Sequence, residues 1–165
     1  GAAVAAPSLI GSLAGGYLVG PKATTRSLLL VPAAGFVGGA LLAAWHFRLV
    51  EPALALPAVL AAVGIVFLYP GPLQEAIARQ VSPRIRASAF SIEILLMHVL
   101  GDVWSPPLIG KTSDALQAGG RSAAEALATS LSWWVPVPLL IAAGALLLGV
   151  RMAKQTPPPS GPGHQ

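Results

Sequence analysis

The stretch ASAFSIEILLMHVLGDVWSPPLIG, residues 87–110, is long enough to cross a bilayer, yet it carries Glu93, His98 and Asp102 among apolar neighbours. An ionised carboxylate near the bilayer centre costs roughly 2.5–3.5 kcal/mol on insertion scales, so such residues are rare in membrane helices and often serve an ion or substrate pathway. The rest of the chain has the same apolar character. It is 55% hydrophobic and 10% charged, with a mean hydropathy of +0.72. A soluble domain carries about 25% charged residues, so this chain lacks the means to coat a water-facing surface.

Four charge-free runs, 1–21, 27–47, 52–74 and 126–150, flank the titratable segment. Each meets the need for about 20 apolar residues in a spanning helix. The expectation is a polytopic all-α membrane bundle over 1–154, with crossings at about 1–20, 27–47, 52–78, 83–109 and 126–150. The Pro- and Gly-rich end, 155–165, is expected to be a disordered tail. The chain starts on Gly1 with an apolar run and no basic region before it, which does not fit a signal peptide. It therefore reads as the C-terminal fragment of a longer protein. With no cysteine there is neither a disulfide nor a thiolate metal site. No cofactor or metal is expected.

The loops sort by charge. Lys22, Arg26, Arg79, Arg84, Arg86, Arg151 and Lys154 fall on one side, while Arg48, Lys111 and Arg121 fall on the other with Glu51, Asp114 and Glu125. Positive residues gather on the cytoplasmic face, so the C-terminus is expected there, in a plasma or inner membrane. Trp45, Trp133, Trp134 and Trp104 then lie towards the outer boundary, and Tyr17 and Tyr69 towards the inner one. The formal charge of +4 is spread over short loops, which points to anionic lipid headgroups and not to nucleic acid.

Glycines recur four apart at Gly11 and Gly15, Gly16 and Gly20, and Gly35 and Gly39. Close backbone approach at such pairs drives much of helix association in lipid. Pro70, Gly71 and Pro72 should break the third crossing, with Leu73–Gln80 continuing it, because proline removes a donor and crowds the preceding turn. Ser105, Pro106 and Pro107 should end or bend the fourth, which Ser82 and Pro83 should open as N-cap and first helical residue.

At 100° per residue, Ser91, His98, Asp102 and Ser105 fall within roughly 60° of one another. His98 and Asp102 are four apart and can meet. Such a stripe should line the bundle interior or a wet cavity, as a proton-linked switch or as a static helix contact. Glu93 points to nearly the opposite side, with Arg86 seven residues earlier on the same face. That face offers a gate contact with a partner bundle, or a Glu93 that snorkels to the interface.

Here the residues resemble a known family. Pro83-Arg84-Ile85-Arg86-Ala87-Ser88-Ala89, then His98-Val99-Leu100-Gly101-Asp102-Val103-Trp104-Ser105-Pro106, then Gly110 with Ser113-Asp114, are similar to the spinster-like family of the major facilitator superfamily. The resemblance covers about thirty residues. It implies that the five crossings are the last five of a twelve-helix carrier, with a missing N-terminal half as partner. It further implies alternating access and an amphiphilic organic solute, such as a lysolipid or sphingoid phosphate, with proton coupling in several members. The acidic loop that the superfamily carries near this position is replaced by Gly16-Tyr17-Leu18-Val19-Gly20-Pro21-Lys22, so no gating role falls there. The competing readings are a drug or metabolite exporter of another facilitator family, a non-transporting scaffold or sensor, and a membrane-embedded enzyme. The last lacks a nucleophile or metal cluster beside the buried pair, so the expectation is a non-enzyme.

Overall fold

Apolar runs of this length leave the backbone one way to satisfy its own polar groups in lipid, and the chain takes it. The computed structural model describes residues 2–47 and 52–155. The loop charges Arg48 and Glu51, and the tail from Thr156, lie outside the described residues. Among those described, every regular element is helical: α1 Ala2–Val19, α2 Thr25–His46, α3 Pro52–Val66, α4 Pro70–Gln80, α5 Arg86–Met97, α6 Ser105–Ala118, α7 Ala123–Trp134 and α8 Pro136–Gln155. A π-helical turn, His98–Asp102, joins α5 to α6.

These elements form longer rods. Four stretches are long and apolar enough to cross a membrane: Thr25–His46, Ala53–Gln80, Arg86–Ala118 and Ala123–Ala153. Ala3–Val19 is a shorter apolar helix. The outward faces are apolar as well, with Leu9, Ile10, Leu13, Leu95, Leu100, Ile141 and Leu148 all largely exposed. A water-soluble fold has no use for such a surface, whereas acyl chains solvate it at no penalty. The fold is an all-helical bundle, among the described residues, whose long apolar helices could span a membrane.

α2 is the central post. It buries Leu28, Pro32, Ala33, Gly35, Gly39, Ala40 and Ala43, and it is flanked by α8 on one side and by α3 with α4 on the other. α1 packs outside α3 and α4. The contacts depend on missing side chains. A Cβ on Gly11 would run into the Gly64 carbonyl and one on Gly15 into the Leu68 carbonyl, while Gly35 and Gly39 abut Ile65 and Val66. α3 is thus gripped between two glycine faces. The pair Gly16 and Gly20 behaves differently from the spacing argument: a Cβ on Gly16 would meet nothing within 4 Å, and Gly20 serves as the left-handed end of α1 at φ +67°.

The two ends of the bundle are distinct. Thr24 and Ser27 form a capping box that starts α2. Arg79 pairs with Glu75 at 2.8 Å and donates to the Ala23 carbonyl, tying the end of α4 to the α1–α2 loop. Lys22 and Arg26, at the α1–α2 junction, and Arg79, in the last turn of α4, therefore lie at one end of the bundle. At the opposite end α6 closes with Gly120 at φ +93°, bonding Gly120 N to Gln117 O and Arg121 N to Leu116 O. α7 then starts on a second capping box, Ser122 with Glu125. α6 and α7 form a hairpin around Ser113, Ala126 and Ser130, all buried. Trp134 Nε1 donates to Thr112 Oγ1 at 2.9 Å across it. Trp134→Phe should cost about 1 kcal/mol, the worth of one such bond. A titration of unfolding by a denaturing detergent checks this, and an unchanged midpoint contradicts it.

Three sequence expectations need correcting. Ser82 and Pro83 open a turn closed by Ile85 N to Ser82 O at 3.1 Å, and the helix begins only at Arg86. The fourth crossing does not stop near residue 109; Pro106 and Pro107 occupy the first turn of α6, where their absent donors do no harm, and the rod runs on to Ala118. Lys111 and Asp114 therefore sit on a helix and not in a loop. Tyr69 and Trp104 fall within the stretches Ala53–Gln80 and Arg86–Ala118.

Candidate functional site

The fourth crossing spans 33 residues, and Asp102 lies sixteen residues from either end. At 1.5 Å per residue the rod is about 50 Å long, well over the ~30 Å hydrocarbon core. Asp102 is thus the midpoint of the rod, with His98 one turn earlier.

Proline chemistry shapes the midpoint. Pro106 and Pro107 offer no N–H to the carbonyls of Asp102 and Val103, and their rings crowd the turn before them. The backbone widens accordingly, with Val103 N bonding to His98 O at 3.1 Å, five residues back. Such π turns are frequent at functional sites. This one carries the histidine at its start and the aspartate at its end.

His98 Nδ1 lies 2.8 Å from the Ile94 carbonyl oxygen. A carbonyl only accepts, so Nδ1 bears the hydrogen and Nε2 is the atom that gains or loses a proton. Nε2 is also the atom facing Asp102 Oδ2, at 3.7 Å. Protonated, the two form an ion pair. Deprotonated, two acceptors face each other and the contact has nothing to hold it.

The surroundings of the pair differ from expectation. The stripe does not face the other helices of this chain. The His98 and Asp102 side chains are 62% and 76% exposed, Ser91 is exposed and bonded to Ala87 O at 3.0 Å, and Ser105 is half-buried. The reason lies in how the rod is held. Among the described residues it touches the rest of the chain only through α4, beside α5, and through α7, beside α6. Its middle stands clear like a strut, and a Cβ added to Gly101 would meet nothing within 4 Å.

Glu93 and Arg86 turn the other way, towards α4. Arg86 Nη2 donates to the Ala78 carbonyl at 3.0 Å, and Glu93 comes within electrostatic reach of Tyr69. Arg86 Nε and Glu93 Oε2 are buried without hydrogen-bond partners. Among the described residues the two form no ion pair with each other. The Glu93 carboxylate is thus near Tyr69, with Oε2 buried.

That contact meets the break in the third crossing. α3 ends at Val66 and α4 starts at Pro70, with Phe67–Tyr69 irregular between them. Pro70 and Pro72 deprive Val66 and Leu68 of their usual donors, which accounts for the interruption. Gly71 lies against Gly16, with a Cβ position 3.6 Å from the Gly16 Cα, and Pro72 is fully buried. Tyr69 stacks at 5.5 Å from Phe36 and 6.1 Å from Phe67. Its part in the site was missed from sequence because it looked like a boundary aromatic; its position directly before Pro70 was the signal that could have found it. Among the described residues no cluster of His, Asp and Glu could hold a metal ion. No family profile, characterised protein or solved structure matches the chain.

Proposed function

We propose that this chain is the C-terminal bundle of a secondary active transporter of the spinster-like, major facilitator kind. It moves an amphiphilic organic solute, such as a lysolipid or a sphingoid phosphate, by alternating access, with His98 and Asp102 as its proton-responsive pair. One observation carries the reading: a titratable pair at the midpoint of a 33-residue span, exposed on a strut that its own chain holds only at the ends. Acyl chains are a poor environment for that pair, so the strut's free face belongs against a partner bundle and a water-filled passage. Glu93, Arg86 and the break at Pro70–Pro72 lie on the strut's other side, where a change in its tilt would be felt. Ser91 and Ser105 extend the polar path along the rod. The basic end faces the cytoplasm in this reading, in a plasma or inner membrane.

Proteoliposomes holding the chain with its partner half are expected to accumulate a fluorescent lysophospholipid when a pH gradient is imposed. Those holding this chain alone should accumulate none, since one bundle cannot close a path from both sides. Uptake by the chain alone, or uptake indifferent to the gradient, contradicts the proposal.

A further inference from the structure

A groove of about 790 Å³ runs between the end of α2 and the α7–α8 rod, away from the His98–Asp102 pair. We infer that it holds a zwitterionic phospholipid of the leaflet farther from the basic end, with the lipid phosphate on Arg121 and its ammonium on Glu125. This site is independent of the transport reading, and its lipid is a resident partner of the bundle.

The groove has a polar mouth and an apolar floor, graded along the rod. Arg121, Glu125 and Thr129 line the mouth; Trp133, Val137 and Leu140 line the deeper part, with Phe47 at the end of α2 opposite. From Glu125 to Leu140 the rod rises about 22 Å. That is the span from a headgroup layer well into the hydrocarbon of one leaflet. A volume of this size lies within the range of small-molecule sites. A peptide or a second helix would need no such change from charge to pure hydrocarbon along its length, whereas a phospholipid has that change built in.

The mouth is held in place. The backbone of Arg121, just beyond the end of α6, is fixed by its bond to Leu116 O at 3.2 Å. Its Nη1 donates to Thr129 Oγ1 at 2.9 Å, and Thr129 in turn donates to Glu125 O at 2.7 Å. This lays the guanidinium along α7, using one of its five N–H donors and presenting the rest of the planar fork to a phosphate. Glu125 Oε2 accepts from Ser122 N at 3.2 Å and Ser122 Oγ at 2.8 Å, so the carboxylate is anchored by the helix cap beside the guanidinium. A neighbouring plus and minus charge suit a headgroup that bears the same two charges in reverse.

The experiment is native mass spectrometry of the full chain, purified and delipidated in detergent, titrated separately with phosphatidylethanolamine and phosphatidylglycerol. The unmodified protein should retain phosphatidylethanolamine in preference. Arg121→Ala should weaken it about tenfold, as loss of a charge-assisted contact does. Glu125→Gln keeps the capping geometry but loses the charge, and should shift the preference towards phosphatidylglycerol. Val137→Trp fills the deeper groove without touching the mouth and should also expel the lipid; it stands in if Arg121→Ala fails to fold. Equal binding of both lipids by all the proteins, or a Glu125→Gln variant with unchanged preference, overturns the inference.

Discussion

Replacing Asp102 with Asn in the assembled carrier is expected to lower gradient-driven uptake about tenfold, within the usual span of coupling energies between two linked sites. Asparagine keeps the shape of the side chain but cannot hold the charge that pairs with a protonated Nε2 of His98. The 3.7 Å contact then carries no electrostatic difference between the proton-loaded and empty states. Folding should be little affected, because the Asp102 side chain is 76% exposed and its contact with His98 is the ion pair alone. Uptake down a solute gradient, with no proton gradient applied, should persist. A variant that transports with unchanged rate and unchanged pH dependence removes the pair from the mechanism.

The second large effect falls far from that pair. Gly15→Ala should destabilise the bundle by about 2–3 kcal/mol, at the upper end of the range for overfilled contacts. The added methyl runs into the Leu68 carbonyl and neighbouring backbone atoms, which cannot rotate aside as a side chain would. Gly16→Ala, one residue on, meets nothing within 4 Å; it should stay within about 0.5 kcal/mol of the parent, as surface changes do. Reversible unfolding in mixed detergent compares the two. Equal midpoints would mean that α1 does not rest on the Leu68 backbone through Gly15.

The contrast between those neighbours shows what a sequence discloses. Length and apolarity announce long apolar helices, because such a segment has few other ways to satisfy its backbone, but they do not fix where each one ends: the fourth stretch runs to Ala118 and not to about 109. They do not distinguish Gly15 from Gly16, since both fit a four-residue spacing and only the position of α3 separates them. The break before Pro70 was legible because proline chemistry is local. The π turn was not: Pro106 and Pro107 announce a disturbance, but whether a helix ends, kinks or widens depends on the segment beyond them, and there α6 carries the rod on. Because the rod continues to Ala118, its midpoint falls on Asp102. His98 and Asp102 could be paired from spacing. The direction they face could not, since it depends on a strut held by α4 and α7 and free in between. Glu93 and Tyr69 come together only through the α4–α5 contact, a long-range fact that no local pattern records.

The chain has no native cysteine, which makes the central claim directly measurable. Single cysteines at Ser91, Asp102 and Ser105 in the assembled protein, and at Leu96 and Leu100 on the opposite face as references, can be challenged in intact membranes with a water-soluble, membrane-impermeant maleimide. If the pair lines an aqueous passage against a partner bundle, the first three should label and the two leucine positions should not. If all five resist the reagent, or the leucine positions label as readily as Asp102, the strut's polar face meets lipid or solid protein and the transport account is contradicted.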